Sequence, residues 1–200
     1  MEKQVNSHYG EMPIIKANTP TGNVSIETKL TEGSSPNVMS TSIKKTIKLL
    51  PLIIWWDEHM VCETKLNQKI PVNQFTNSIY QYSRNQKVTE KLAGRQLIIN
   101  IDQIPRTYSF HNETKAVLMM VSWTRVYLAP SGEDVKVSYT LTSNGQAVKN
   151  GIVEIKDPNK LYGIGYFKSL KNATDDYLTS YDNFYKTAGK TVLDKILAAI

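Results

Sequence analysis

The chain has 200 residues, 40% of them hydrophobic, a net charge of +6 and one cysteine, which suits a single domain with or without a tail. One cysteine excludes an internal disulfide and a multi-cysteine metal centre. Basic residues are scattered, with no run longer than Lys44-Lys45, so the clustered stripe that nucleic-acid binding requires is absent, and no apolar run approaches the roughly 20 residues of a membrane-spanning helix.

The start, MEKQVNSHYG, lacks the apolar segment of a signal peptide. That fits an intracellular chain or one whose leader has been removed. Residues 1–40 are rich in Asn, Thr, Ser, Gly and Pro, and NTPTGN and TEGSSPN read as linker. Within them only Val24–Thr28 alternates enough for one short strand. Residues 1–40 are therefore expected to be a polar tether, and 41–200 a single folded domain.

Thr46–Trp56, TIKLLPLIIWW, is the most apolar stretch. Apolar on both faces and rich in β-branched residues, it predicts a strand over about 43–56, buried on both sides and central in its sheet. Trp55 and Trp56 would face opposite sides of that strand. Asp57-Glu58 would end it, with a turn over Thr64–Lys69. Val72, Phe75, Ile79 and Tyr82 then recur at helical spacing. They predict a helix over 72–92 with Asn73 as N-cap, Gly94 beyond its end and a candidate break near Asn85.

Leu97–Ile101 reads as a strand, extended to Phe110 around a bend at Pro105, with a turn at His111-Asn112-Glu113. Ala116–Leu128 is a third, strongly apolar strand. Val135–Leu141 alternates cleanly, and Asn144-Gly145 is the strongest hairpin signal in the chain. Gln146–Lys156 returns as its partner, with Gly151 a candidate bulge. Ala173–Ile200 closes the chain as a helix whose stripe includes Tyr177, Tyr181, Phe184 and Val192. The order β-α-β-β-β-β-α predicts an α+β, two-layer fold: a mostly antiparallel sheet of four to six strands with two helices on one face.

Asp57-Glu58-His59 with Cys62 is the one local cluster of reactive residue types. His59 and Cys62 are a candidate nucleophile–base pair, but neighbouring strand residues point to opposite faces, and the spacing matches no protease or metal pattern. The plain account is a polar strand end with Cys62 as a small filler. His8 and His111 are isolated in sequence. Tyr162-Gly163-Ile164-Gly165-Tyr166 follows a hairpin rather than opening a helix, so it is a weak phosphate signal. No catalytic, cofactor or metal set is assigned. The candidate partner or ligand surface is Trp55, Trp56, Tyr177 and Tyr181, for which core packing is the ordinary alternative.

Two segments carry a family resemblance: FTNSIYQYSRNQKVTEKLAGRQLIINIDQI as helix then strand, and VKVSYTLTSNGQAVKNGIVEI as an alternating hairpin before a terminal helix. In element order, residues 42–200 resemble bacterial envelope lipoproteins. These are the auxiliary lipoproteins of ABC-type transport systems, the lipopolysaccharide-assembly lipoprotein and the amino-terminal domain of the Tol–Pal translocation protein. The resemblance implies a non-enzymatic, lipid-anchored protein of the periplasm or outer membrane. It would bind a protein partner or lipid component of a transport or assembly system. Residues 1–40 would be the tether, although Cys62 lies too deep to be a lipobox cysteine. Two other readings are a soluble module holding a small apolar ligand between sheet and Tyr-lined helix, and a hydrolase using His59 and Cys62.

Overall fold

The computed structural model describes residues 2–10, 22–28, 30, 38–51, 54–117, 121–165 and 168–200. In chain order the elements are α1 (Glu2–Tyr9), β1 (Val24–Thr28), β2 (Met39–Leu50), β3 (Trp55–Leu66), α2 (Lys69–Asn85), α3 (Val88–Leu92), β4 (Gln96–Gln103), β5 (Thr107–Val117), β6 (Val121–Pro130), β7 (Val135–Ser143), β8 (Gln146–Ile155), β9 (Tyr162–Ile164) and α4 (Leu170–Ala199). The class is α+β, as expected. The expected single sheet is instead two: a four-stranded sheet β1-β4-β7-β8 and a five-stranded sheet β2-β3-β5-β6-β9.

The four-stranded sheet follows from clean alternation. Leu97, Ile99 and Ile101 on β4 and Val135, Val137, Tyr139 and Leu141 on β7 are buried, while the residues between them are not. β1 pairs parallel to β4 from Val24↔Leu97 to Thr28↔Ile101. The short strand expected at Val24–Thr28 is this edge strand, while residues 2–9, read as tether, form α1, whose Tyr9 hydroxyl donates to Asp182 Oδ1 of α4 at 2.8 Å. The Asn144-Gly145 turn joins β7 to β8 with both residues at positive φ (50° and 79°), which a two-residue hairpin with right-twisted strands requires. Gly151 is not the bulge. The register shifts between Leu141 and Thr142, and Gly151 lies opposite Tyr139 with the phenol ring over it.

The run at 46–56 is not one strand. β2 ends at Leu50, Pro51 begins the turn, and Ile54 sits at φ 44° before β3 starts at Trp55. β2 is an edge strand, exposed from Ser40 to Leu50, rather than a central buried one. Asp57 and Glu58 lie inside β3 instead of ending it, and His111-Asn112-Glu113 lies inside β5 instead of forming a turn. α2 begins at Lys69, ahead of the expected start. Asn67 Oδ1 accepts the Lys69 N–H at 3.0 Å, and Pro71 occupies the first turn, where a missing N–H costs nothing. The helix stops at Asn85, and Lys87 takes φ 50° before α3.

The helices unite the two sheets. α4 touches β8 of one and β6 and β9 of the other, and packs along α2. Ser169 caps it, accepting the Asn172 N–H at 3.2 Å. One continuous core results, containing Ile70, Phe75, Ile79, Leu97, Tyr108, Leu128, Tyr185 and Val192 among others. The chain crosses from β4 to β5 at Ile104 and Pro105, both buried, where the Pro105 carbonyl accepts the hydroxyls of Tyr181 (2.8 Å) and Tyr185 (2.5 Å). A second stitch joins the later crossings, where the Asp157 N–H donates to Asp134 Oδ1 at 3.1 Å.

Candidate functional site

The hairpins β2–β3 and β5–β6 lie side by side, because β3 pairs with β5 from Trp55↔Val117 to Lys65↔Thr107. Both hairpins therefore close at the same end of the sheet, and the four strands form an arm whose outermost described rows are solvent-exposed. Register divides the arm into rows on alternating faces. One face carries the rows Lys44-Val61-His111-Tyr127, Thr46-His59-Glu113-Arg125 and Lys48-Asp57-Lys115-Trp123. The other carries Ile43-Cys62-Phe110-Leu128, which runs into the core, then rows with the Lys45–Glu58 ion pair (2.7 Å) and the Thr114–Thr124 hydroxyl contact (3.1 Å).

The first face holds a polar trough of about 260 Å³ lined by Thr46, Lys48, Asp57, His59, Glu113 and Lys115. His59 Nε2 lies 3.2 Å from His111 Nδ1 and 3.6 Å from Glu113 Oε1. His111 Nε2 meets Ser109 Oγ at 2.8 Å, and the Tyr127 hydroxyl donates to Glu113 Oε1 at 2.8 Å. The His111 ring stacks on both neighbours, with centroids 5.4 Å from His59 and 4.7 Å from Tyr127. Burial, then the His59 ring, hold the His111 pKa below its ordinary value, against the pull of Glu113. Burial and the Glu113 carboxylate raise that of Tyr127. Ligand atoms of His59, His111 and Glu113 all fall within 4.8 Å of one another, so among the described residues these three are the set able to hold a metal.

The outer end is apolar on both faces. Leu49 and Trp56 stand on one, Leu50, Val121 and Trp123 on the other, with Ile54 at the turn; Leu50 is 53% exposed, Trp123 50% and Trp56 44%. Leu52-Ile53 and Leu118-Met119-Met120, which link these strands in sequence, are apolar and lie outside the described residues. A charged row comes next: Lys48, Asp57 and Lys115, with Trp123 among them.

Of the surface read from sequence, Trp56 is exposed and Trp55 half-buried, both in the arm. Tyr177 and Tyr181 are buried in the core, so they offer no surface. The depression beside them, also lined by Pro130, Asp157 and Phe184, holds about 30 Å³, room for little more than a water molecule. His59 and Cys62 are not brought together; they stand in rows on opposite faces of β3. Sequence reading separated His59 from His111 because the second was assigned to a turn. Residues 111–116 are polar on both alternating sets apart from Ala116, so no apolar alternation marked the strand through them. No family model matches the chain, no curated protein matches it, and no solved structure matches its fold.

Proposed function

We propose that the chain is a non-enzymatic membrane-docking protein. It binds the surface of an anionic bilayer by seating the apolar end of the paired hairpins between the lipid headgroups. The observation that carries this reading is that the outermost described rows of the two neighbouring hairpins are exposed and apolar on both faces at once, where a protein groove would cover one. Indoles combine an apolar body with one polar donor and suit the headgroup level. Trp123 shares the row of Lys48 and Lys115, two residues or about 7 Å below the tip, the depth of interfacial insertion. The strands are long enough to span a bilayer, but the charged and hydroxyl rows on both faces below the tip argue for shallow seating. The resemblance of residues 42–200 to envelope lipoproteins supports a bacterial envelope setting, with a lipid component as the bound partner.

All three tryptophans of the chain lie in this arm, so their fluorescence reads the event directly. With vesicles of phosphatidylcholine and phosphatidylglycerol, emission shifts to the blue and the protein co-sediments. Leu50→Asp weakens this binding at least tenfold, through loss of a buried leucine and burial of a charge. Lys48→Glu weakens it on anionic vesicles alone. Unshifted emission at saturating lipid, or a lipid-free oligomer in which Leu50 is already covered, would overturn the reading.

A further inference from the structure

The trough on the arm adjoins the apolar end through the Lys48-Asp57-Lys115 row, but its chemistry is different. We propose that His59, His111 and Glu113 form a binding site for one divalent transition-metal ion of the zinc class. The set is two imidazole nitrogens and one carboxylate oxygen, donors that suit Zn²⁺ and its neighbours and not the all-oxygen ions calcium and magnesium.

The geometry fits. Ligand atoms about 2.1 Å from a tetrahedral ion are about 3.4 Å apart. Two edges of this set, 3.2 Å from His59 Nε2 to His111 Nδ1 and 3.6 Å from His59 Nε2 to Glu113 Oε1, bracket that length, and the third lies within 4.8 Å. The ligands sit on two paired strands in defined register, His59 directly opposite Glu113 and His111 two residues along β5. Little ordering is left for the ion to impose.

The surrounding bonds orient the donors as bound ligands are commonly oriented. In the tautomer that donates Nε2–H to Ser109 Oγ, His111 presents an unprotonated Nδ1 to the His59 Nε2 at 3.2 Å. Tyr127 donates to Glu113 Oε1 and fixes the carboxylate. His59 needs only the tautomer protonated on Nδ1 to present Nε2 as a second lone pair. Three protein ligands leave the fourth tetrahedral position to water or an exogenous group, and the open trough supplies access. Asp57 and Glu113 stand among the cationic Lys48, Lys115 and Arg125 on this face, and Glu113 supplies the anionic ligand. Cys62, on the opposite face, is not a ligand.

Calorimetric titration of the full-length, chelator-dialysed chain with Zn²⁺ tests the site. The expected result is one equivalent bound. His111→Ala and Glu113→Gln each weaken binding tenfold or more, whereas His8→Ala, in a histidine held by Asp182 at 2.8 Å, leaves it unchanged. Glu113→Gln keeps an oxygen for Tyr127, and circular dichroism without metal shows that each variant folds. Co²⁺ provides a second readout: visible bands of a four-coordinate nitrogen–oxygen site appear with the wild type and vanish with His59→Ala. No stoichiometric binding, or binding that survives in the folded His59→Ala/His111→Ala variant, overturns the proposal.

Discussion

Gly189 shows how one missing side chain sets the distance between two helices. A β-carbon there would stand 1.8 Å from Ser78 Oγ, 3.0 Å from its Cβ and 3.2 Å from Ile79 Cγ1. Ser78 cannot simply swing away, because its hydroxyl bonds the carbonyls of Phe75 (2.8 Å) and Tyr185 (3.1 Å). Gly189→Ala gains up to about 1 kcal/mol of helix propensity but overpacks the α2–α4 contact, a cost of about 1–3 kcal/mol. Urea titration is expected to show net destabilisation. Adding Ser78→Gly recovers part of it, a non-additivity that marks direct contact. The tyrosine row teaches a related lesson. Residues 177, 181 and 185 share a face by helical spacing, and that much was legible. Whether the face is surface or core depended on Pro105, a partner distant in sequence that accepts two of the three hydroxyls.

At the level of elements, the two hairpins explain where sequence reading succeeded and failed. The β7–β8 hairpin was legible to within a residue or two, because its alternation is strict and its turn is Asn-Gly. The β2–β3 hairpin was not. A stretch apolar on both faces reads as a strand buried on both sides, and an exposed apolar hairpin end has the same pattern. Pro51 was the clue: a proline inside a central strand argues against that assignment. The metal ligands were illegible for a different reason, since His59 and His111 meet only through the β3–β5 register. The β2–β3 turn also stores strain. Ile54 is β-branched yet holds φ 44°, a conformation that costs an L-residue roughly 1–2 kcal/mol. Ile54→Gly removes that cost but adds unfolded-chain entropy, leaving a gain under about 1 kcal/mol. The same change strips an apolar contact from the arm's end. The expected outcome is a higher melting midpoint with weaker vesicle partitioning, the two moving in opposite directions.

For the molecule as a whole, core and arm should differ in local stability. β4 and β7 are inner strands of their sheet and bury every second residue, whereas β2 is an edge strand exposed along nearly its whole length. Hydrogen exchange is expected to find β4 and β7 amides opening only with global unfolding, and the outer halves of β2 and β6 exchanging far sooner. Anionic vesicles should slow exchange at the arm's outer end and leave β4 and β7 unchanged. Equal protection throughout would mean that the arm and core unfold as one cooperative unit.

The Pro105 carbonyl, held by Tyr181 and Tyr185, has a mechanical consequence. It sits where β4 gives way to β5, so it is a fulcrum: the arm is a lever on one side and the four-stranded sheet lies on the other. Both struts come from consecutive turns near the middle of α4, a helix about 45 Å long. A load on the lever's tip is therefore delivered to the midpoint of the longest rigid beam in the molecule. Because α4 also packs along α2 and against β8, a sideways pull on the hairpins would be shared with the four-stranded sheet behind it.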